Sequence, residues 1–240
     1  GGGVGTFTGD ATVDGNVTIN VSNVYATELE INGGGRADGG DPEFENAPPA
    51  TASVTGSVTI NVENSDFAQG GAIYAGGDSW GENTFANVGS VLVKADNLTF
   101  NNSAYDQDLS IIMGGGIAMD QGTSEVSGDV VLDIKNSNPL YVMGGGSTQN
   151  DADEDELDGG SRYNGLSAVV KGNVEITLTN STVQTVIASG NTSGAIFEDG
   201  STPVAGYGDA SVAGDVTITL AGNSSVGKVY LAGSGEGSNV

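Results

Sequence analysis

The sequence predicts an all-β chain, a right-handed parallel β-solenoid of about six coils with variable surface loops, and three observations carry that prediction. A nine-residue stretch, GNVTINVSN at Gly15, returns as GSVTINVEN at Gly56, GSVLVKADN at Gly89, GDVVLDIKN at Gly128 and GNVEITLTN at Gly172, with a slipped copy, GDVTITLAGN, at Gly214. Within each copy apolar residues recur at every second position, the period of a half-buried strand and not of a helix. Each copy also closes on asparagine, which favours a stacked turn.

Taken in order, Gly1–Asp10 is too short and glycine-rich for a domain, and reads as a leader or as the tail of a preceding coil. Residues 11–240 form one domain of six repeats on the glycines at 15, 56, 89, 128, 172 and 214, separated by 41, 33, 39, 44 and 42 residues. A constant core carrying surface loops of different length produces such variation. Two residues past each glycine stands a valine: Val17, Val58, Val91, Val130, Val174 and Val216. Two before it stand Val13, Val54, Val126, Val170 and Val212, with Asn87 as the exception.

Eight residues past the glycines come Asn23, Asn64, Asn97, Asn136 and Asn180, with Asn223 one place late. Asparagine tolerates the left-handed conformation, and a column of its amides can bond from coil to coil. A second, shorter apolar run follows in each repeat and ends in small residues, as in Ile111–Met113 before Gly114–Gly116 and Tyr141–Met143 before Gly144–Gly146. The glycines are expected to make a sharp turn at positive φ, and a variable loop is expected to complete the repeat.

Composition narrows the function. Thirty-one acidic residues against six basic ones give a net charge of −25, which repels nucleic-acid phosphates and anionic lipid surfaces. Cysteine and histidine are absent, which removes disulfides, thiolate metal sites and any histidine-based triad or zinc centre. No apolar run is long enough to span a bilayer and no signal-peptide pattern opens the chain. Because the first residue is not methionine, the chain is expected to be a processed form or an excised segment.

The pattern V-x-G-[NDS]-V-x-[IVL]-x-[VLIA], then asparagine, then a run ending YAGG or MGGG, resembles the passenger regions of bacterial autotransporters and related large repetitive surface adhesins. The resemblance spans Ala11 to Ala232 and implies an extracellular or cell-surface protein with an adhesive stalk or binding-scaffold role. Its partners would be glycans or other surface proteins. A polysaccharide-active β-helix enzyme also resembles this fold; it would need a basic residue such as Lys94, Lys135 or Lys171 beside calcium-binding carboxylates. The reading adopted is non-enzymatic, because no site rises from the sequence and a fold alone does not establish an activity.

Two sets of residues stand out as candidate sites. Asp151, Asp153, Asp155 and Asp158 lie in an acidic stretch that is either a solvated loop, the usual fate of a charge run, or a weak calcium site. Glu156 stands where an EF-hand loop requires glycine and Arg162 where it requires glutamate, so that motif is excluded, and no other cofactor is required. On the outward face Leu92 and Val131 break a column otherwise made of Thr18, Thr59, Glu175 and Thr217. Adjacent exposed aliphatics imply a cover, for which the loop aromatics Trp80 and Phe85 are the candidates within the chain. Other loop aromatics, Tyr163, Phe197 and Tyr207 among them, could stack on sugars or cover a core end.

Seven N-x-[ST] sequons are present, but a chain so rich in Asn, Ser and Thr produces them by chance. Neither end carries a capping element, so the terminal coils are expected to continue into further chain or to stack end to end on another copy. The second arrangement would make the protein a self-assembling extracellular structural subunit of a filament, sheath or surface layer.

Overall fold

In the computed structural model, described over residues 4–6, 9–39, 49–81, 83–101, 110–119, 122–149, 167–191 and 209–231, every strand ladder is parallel and no helix occurs among the described residues. The strands fall into an eleven-stranded, a six-stranded and a five-stranded sheet, an all-β architecture compatible with a β-solenoid. Consecutive repeats supply neighbouring strands in each sheet. Among the described residues no helix is long and apolar enough to cross a membrane.

The eleven-stranded sheet holds the repeat unit in the register that its sequence implies. Val17 pairs with Val58, Val58 with Val91, Val91 with Val130, Val130 with Val174 and Val174 with Val216, without a break. Columns of Ile19, Ile60, Val93, Leu132, Ile176 and Ile218, and of Val21, Val62, Ala95, Ile134, Leu178 and Leu220, run beside it. Apart from the exposed Leu220, these side chains meet Ile31, Ile73, Ile112, Val142 and Val186 of the six-stranded sheet in one apolar core. Phe67 and Phe100 add a tilted aromatic pair with ring centroids 5.1 Å apart. Burying each such aliphatic is worth about 1.5–3 kcal/mol, so the columns supply the main favourable energy.

Two apparent irregularities of the repeat resolve structurally. Asn87 is not the third repeat's member of the column before the glycine; Val88 is, paired with Val54 and Val126. One residue is missing there, and the register shift between Val88 and Ser90 absorbs it. The sixth repeat is not slipped at its strand, since Val216–Ala221 pairs in register with Val174–Thr179. Its left-handed turn position is taken by Gly222 at φ 63°, where the others have Asn23, Asn64, Asn97, Asn136 and Asn180 at φ 49–56°. Asn223 therefore falls outside the column.

The asparagine ladder is partial. Asn97 Nδ2 donates to Asn64 Oδ1 at 3.0 Å and Asn180 Nδ2 to Asn136 Oδ1 at 3.4 Å, but Asn136 Nδ2 turns to Asp96 Oδ1 at 2.8 Å. Serines beside the asparagines, buried at Ser65, Ser137 and Ser181 and half-buried at Ser224, carry the rest of the turn. Ser65, Ser137, Ser181 and Ser224 each accept a backbone N–H from the preceding repeat, of Val24, Leu98, Ser137 and Ser181 in turn. The same hydroxyls donate to carbonyls of their own turns, such as Lys135 O at 2.6 Å. Each hydroxyl thus satisfies two backbone groups that burial would otherwise leave unpaired.

A third sheet stands where a variable loop is expected. Val4–Thr6, Arg36–Asp38, Asp78–Trp80, Ile117–Met119 and Ser147–Gln149 stack in parallel, and Asn191 bridges to Ser147. The first of these pairs residues 4–6 with Arg36–Asp38, so the opening stretch enters the sheet.

The glycines between the second and third sheets also act otherwise than expected. Of Gly33–Gly35, Gly114–Gly116 and Gly144–Gly146, Gly35 alone has positive φ, at 88°. Gly34, Gly115 and Gly145 are required because the repeats touch backbone to backbone there, whereas a Cβ on Gly33, Gly114 or Gly144 would strike the side chain of Val58, Val130 or Val174, and one on Gly116 or Gly146 that of Ser124 or Ala168. A Cβ on Gly115 would lie 2.3 Å from the carbonyl carbon of Gly145, and one on Gly145 would lie 2.3 Å from the carbonyl oxygen of Ser189. Replacing Gly115 by alanine should therefore force the repeats apart and cost about 3 kcal/mol, at the upper end for overpacked sites. Urea unfolding of the variant measures this, and a loss below about 0.5 kcal/mol would contradict the contact.

Candidate functional site

The outward face of the long sheet is built of three rows, because side chains at alternate positions of each strand point away from the core. The first row reads Thr18, Thr59, Leu92, Val131, Glu175, Thr217; the second Asn20, Asn61, Lys94, Asp133, Thr177, Thr219; the third Ser22, Glu63, Asp96, Lys135, Thr179, Ala221. Small polar residues dominate the outer repeats. The third and fourth repeats depart in all three rows at once, placing Leu92 beside Val131, Lys94 beside Asp133 and Asp96 beside Lys135.

An open groove of about 430 Å³ lies over the second and third rows of the first four repeats. Lys135 Nζ contacts Asp133 Oδ2 at 2.7 Å, and that hydrogen bond, followed by the charge of the same carboxylate, holds the Lys135 ammonium above the ordinary lysine range. Asn61 Nδ2 donates to Asn20 Oδ1 at 2.8 Å. Lys94 has no ion-pair or hydrogen-bond partner among the described residues, which leaves its three donors free. The groove thus offers one free cation, acceptors on Asp133, Asp96 and Asn61, and a bordering aliphatic pair.

The other site expectations meet the structure unevenly. Leu92 and Val131 pair directly and are half-buried. Trp80 is not in a loop and does not belong to that patch: it lies in strand Asp78–Trp80 and packs on a separate apolar cluster of Ala72, Ile111, Met113, Ile117, Met119, Met143 and Ile187. Phe85 also lies on a strand, Thr84–Phe100, on the same outward side as Leu92. Asp151, Asp153, Asp155 and Asp158, and with them Tyr163, Phe197 and Tyr207, lie outside the described residues. Among the described residues no group of three or more acidic side chains is placed to hold a metal ion. The convergence at Lys94, Asp133, Asp96 and Lys135 is a feature that sequence reading reached only as two isolated lysines.

A second polar cluster surrounds Trp80. The Arg36 guanidinium stacks 3.9 Å from the ring centroid, and the indole N–H donates to Asp78 Oδ1 at 2.6 Å. Burial raises the Asp78 carboxyl to about 6, with Glu30 and Asp38 adding to the rise and the Trp80 bond and Arg36 opposing it. With the Trp80 ring engaged on one face by Arg36, this cluster reads as a structural anchor of the five-stranded sheet.

Compared with protein-family models, with curated proteins and with solved structures, the chain matches none. The assignment of a role therefore rests on the geometry above.

The Asp78 shift gives a test with a defined sign. Its folded value, about 6, lies above the ordinary 3.8, so between the two the folded chain keeps a proton that the unfolded chain has released. Its contribution to stability accordingly falls as pH rises from about 4 to about 6 and is level above that. Asp78→Asn should melt higher than the parent at pH 7, by about 2–4 °C for each kcal/mol regained, and converge with it near pH 4. Parallel melting curves of the two proteins across that range would contradict the burial of a charge-bearing Asp78.

Proposed function

We propose that the chain is a non-enzymatic, secreted or cell-surface β-solenoid of six right-handed coils that serves as a binding scaffold or adhesive stalk. One observation carries the reading. The residues that stack are repeated through every copy, whereas the outward residues change from coil to coil and concentrate their charged and aliphatic members on the third and fourth. A scaffold divides labour in this way: the columns set the spacing, and the face they hold displays side chains to a partner. The autotransporter-like pattern of the repeats supports an extracellular place for it. The net charge of −25 disfavours nucleic acid and anionic membrane as the partner.

End-to-end association is a second reading, favoured by the outermost strands. Leu220, Val229 and Leu231 are 51%, 44% and 61% exposed at the free edge formed by Val216–Ala221 and Ser225–Tyr230. A further coil, of the same polypeptide or of another copy, would bury them. A polysaccharide-cleaving activity would instead require Lys94, Lys135 or Lys171 to act as a base, and Lys135 is held as a cation by Asp133 while Lys171 pairs with Glu125 at 2.7 Å.

Binding and turnover separate these readings. The purified chain should be retained saturably on bacterial or host cell surfaces, release no reducing ends from polysaccharide, and lose at least about tenfold in retention on Lys94→Glu, the loss expected from about 1.4 kcal/mol. Time-dependent product formation abolished by Lys94→Ala would replace the scaffold with an enzyme, and regular fibres in electron micrographs would favour the structural subunit.

A further inference from the structure

Within the scaffold reading, on which this step rests, the groove's chemistry selects among possible ligands. The charges of Lys94 and Lys135 are balanced by those of Asp96 and Asp133, with Glu63 at the edge, so the site is close to neutral within a strongly acidic chain. An anionic polymer would meet the repulsion of the whole molecule and gain one free ammonium in return. A cationic ligand would compete with Lys135, already paired with Asp133, and meet the unpaired charge of Lys94. Uncharged ligands meet neither obstacle.

Size separates a small ligand from a protein. A stable protein partner buries about 800 Å² on each side, around an apolar centre, and two aliphatic side chains do not supply that centre. At about 430 Å³ the groove falls instead in the range of small-molecule sites, about 300–1,000 Å³. Its polar groups also retain capacity. Lys94 has three free donors, while Asp133 and Asn61, though already bonded to Lys135 and Asn20, keep acceptor lone pairs. The site therefore pairs a compact array of donors and acceptors with the Leu92–Val131 strip at its border. A sugar ring has that same division, hydroxyls around its edge and C–H bonds on its face. Neighbouring repeats in the stack are separated by about 4.8 Å, close to the length of one pyranose unit.

We infer that the groove over Asn61, Lys94, Asp96 and Asp133, bordered by Leu92 and Val131, binds an uncharged, hydroxyl-rich glycan segment of one or two sugar units. Lys94 donates to a ring hydroxyl or glycosidic oxygen, Asp133 and Asn61 accept from neighbouring hydroxyls, and the aliphatic pair meets the C–H face. No bond is made or broken.

The test titrates the full chain with neutral gluco-, manno-, galacto- and xylo-configured di- to tetrasaccharides, with polygalacturonate as the acidic control. At least one neutral series should bind saturably and polygalacturonate should not. Lys94→Ala should weaken the binding at least about tenfold, as loss of a charge-assisted hydrogen bond does, and Leu92→Asp should weaken it as well. Thr219→Ala, on the same face two repeats away, should bind as the parent does, and all variants are checked for parental melting. Failure of every neutral sugar, with cell retention that survives glycosidase treatment of the cells but is lost on protease treatment, would overturn the glycan assignment and leave the scaffold standing. Cleavage of a bound sugar would overturn the scaffold reading itself, and tight binding of polygalacturonate would overturn the neutrality argument.

Discussion

Everything in this structure depends on how closely one repeat can approach the next. Parallel pairing sets that approach at about 4.8 Å, and at the corners no side chain can intervene. Gly56 sits against the backbone of Gly15, Gly89 against Gly56, Gly128 against Gly89, Gly172 against Gly128 and Gly214 against Gly172, each with room for hydrogen alone. The second corner repeats the arrangement through Gly34, Gly76, Gly115 and Gly145. Two glycine columns thus act as spacers of zero thickness, and they let three sheets keep one register. The left-handed turn and its serines then satisfy the backbone groups that close stacking would leave buried and unpaired.

Such a frame separates stability from display. Inward columns accept Val, Ile, Leu and Ala because volume and shape are all that the core requires of them. Outward rows are free of that demand, so they can differ between neighbouring repeats without disturbing the stack. Lys94, Asp96, Asp133 and Lys135 exploit that freedom. Rigid strands hold them, which keeps the cost of ordering them on binding low. The Asp129–Asn173–Asp215 steps beside the glycines show the same logic in a supporting role. Asp129 Oδ1 accepts from Asn173 N and Asn173 Oδ1 from Asp215 N, each at 2.8 Å, and so tie three repeats together.

The valine and isoleucine columns were legible because period two is a local signal that six copies reinforce. The third sheet was not, since Asp78–Trp80, Ile117–Met119 and Ser147–Gln149 are three residues long and show no period. Trp80 was read as a loop residue for that reason. The apolar cluster outside the two smaller sheets was equally hidden: Ser110–Met113 is buried at every position, and a short run buried on both faces gives no alternation. The sixth copy reads as slipped, with Asn223 one place late, because alignment follows residue identity, whereas the turn selects for φ, which Gly222 supplies. The groove's residues on neighbouring repeats lie 33 to 41 positions apart, and only the stacking register brings them together.

That register is the central claim, and engineered cysteines test it directly because the chain has none of its own. Thr177 and Thr219 are paired outward positions of neighbouring strands, so Thr177→Cys with Thr219→Cys places two thiols within disulfide reach. Thr177→Cys with Thr217→Cys offsets them by two residues on the same face. Under mild oxidation the paired variant should form an intramolecular disulfide rapidly and the offset variant should not. Equal crosslinking of the two, or preference for the offset pair, would contradict the stacked register on which the core, the corners and the groove all rest.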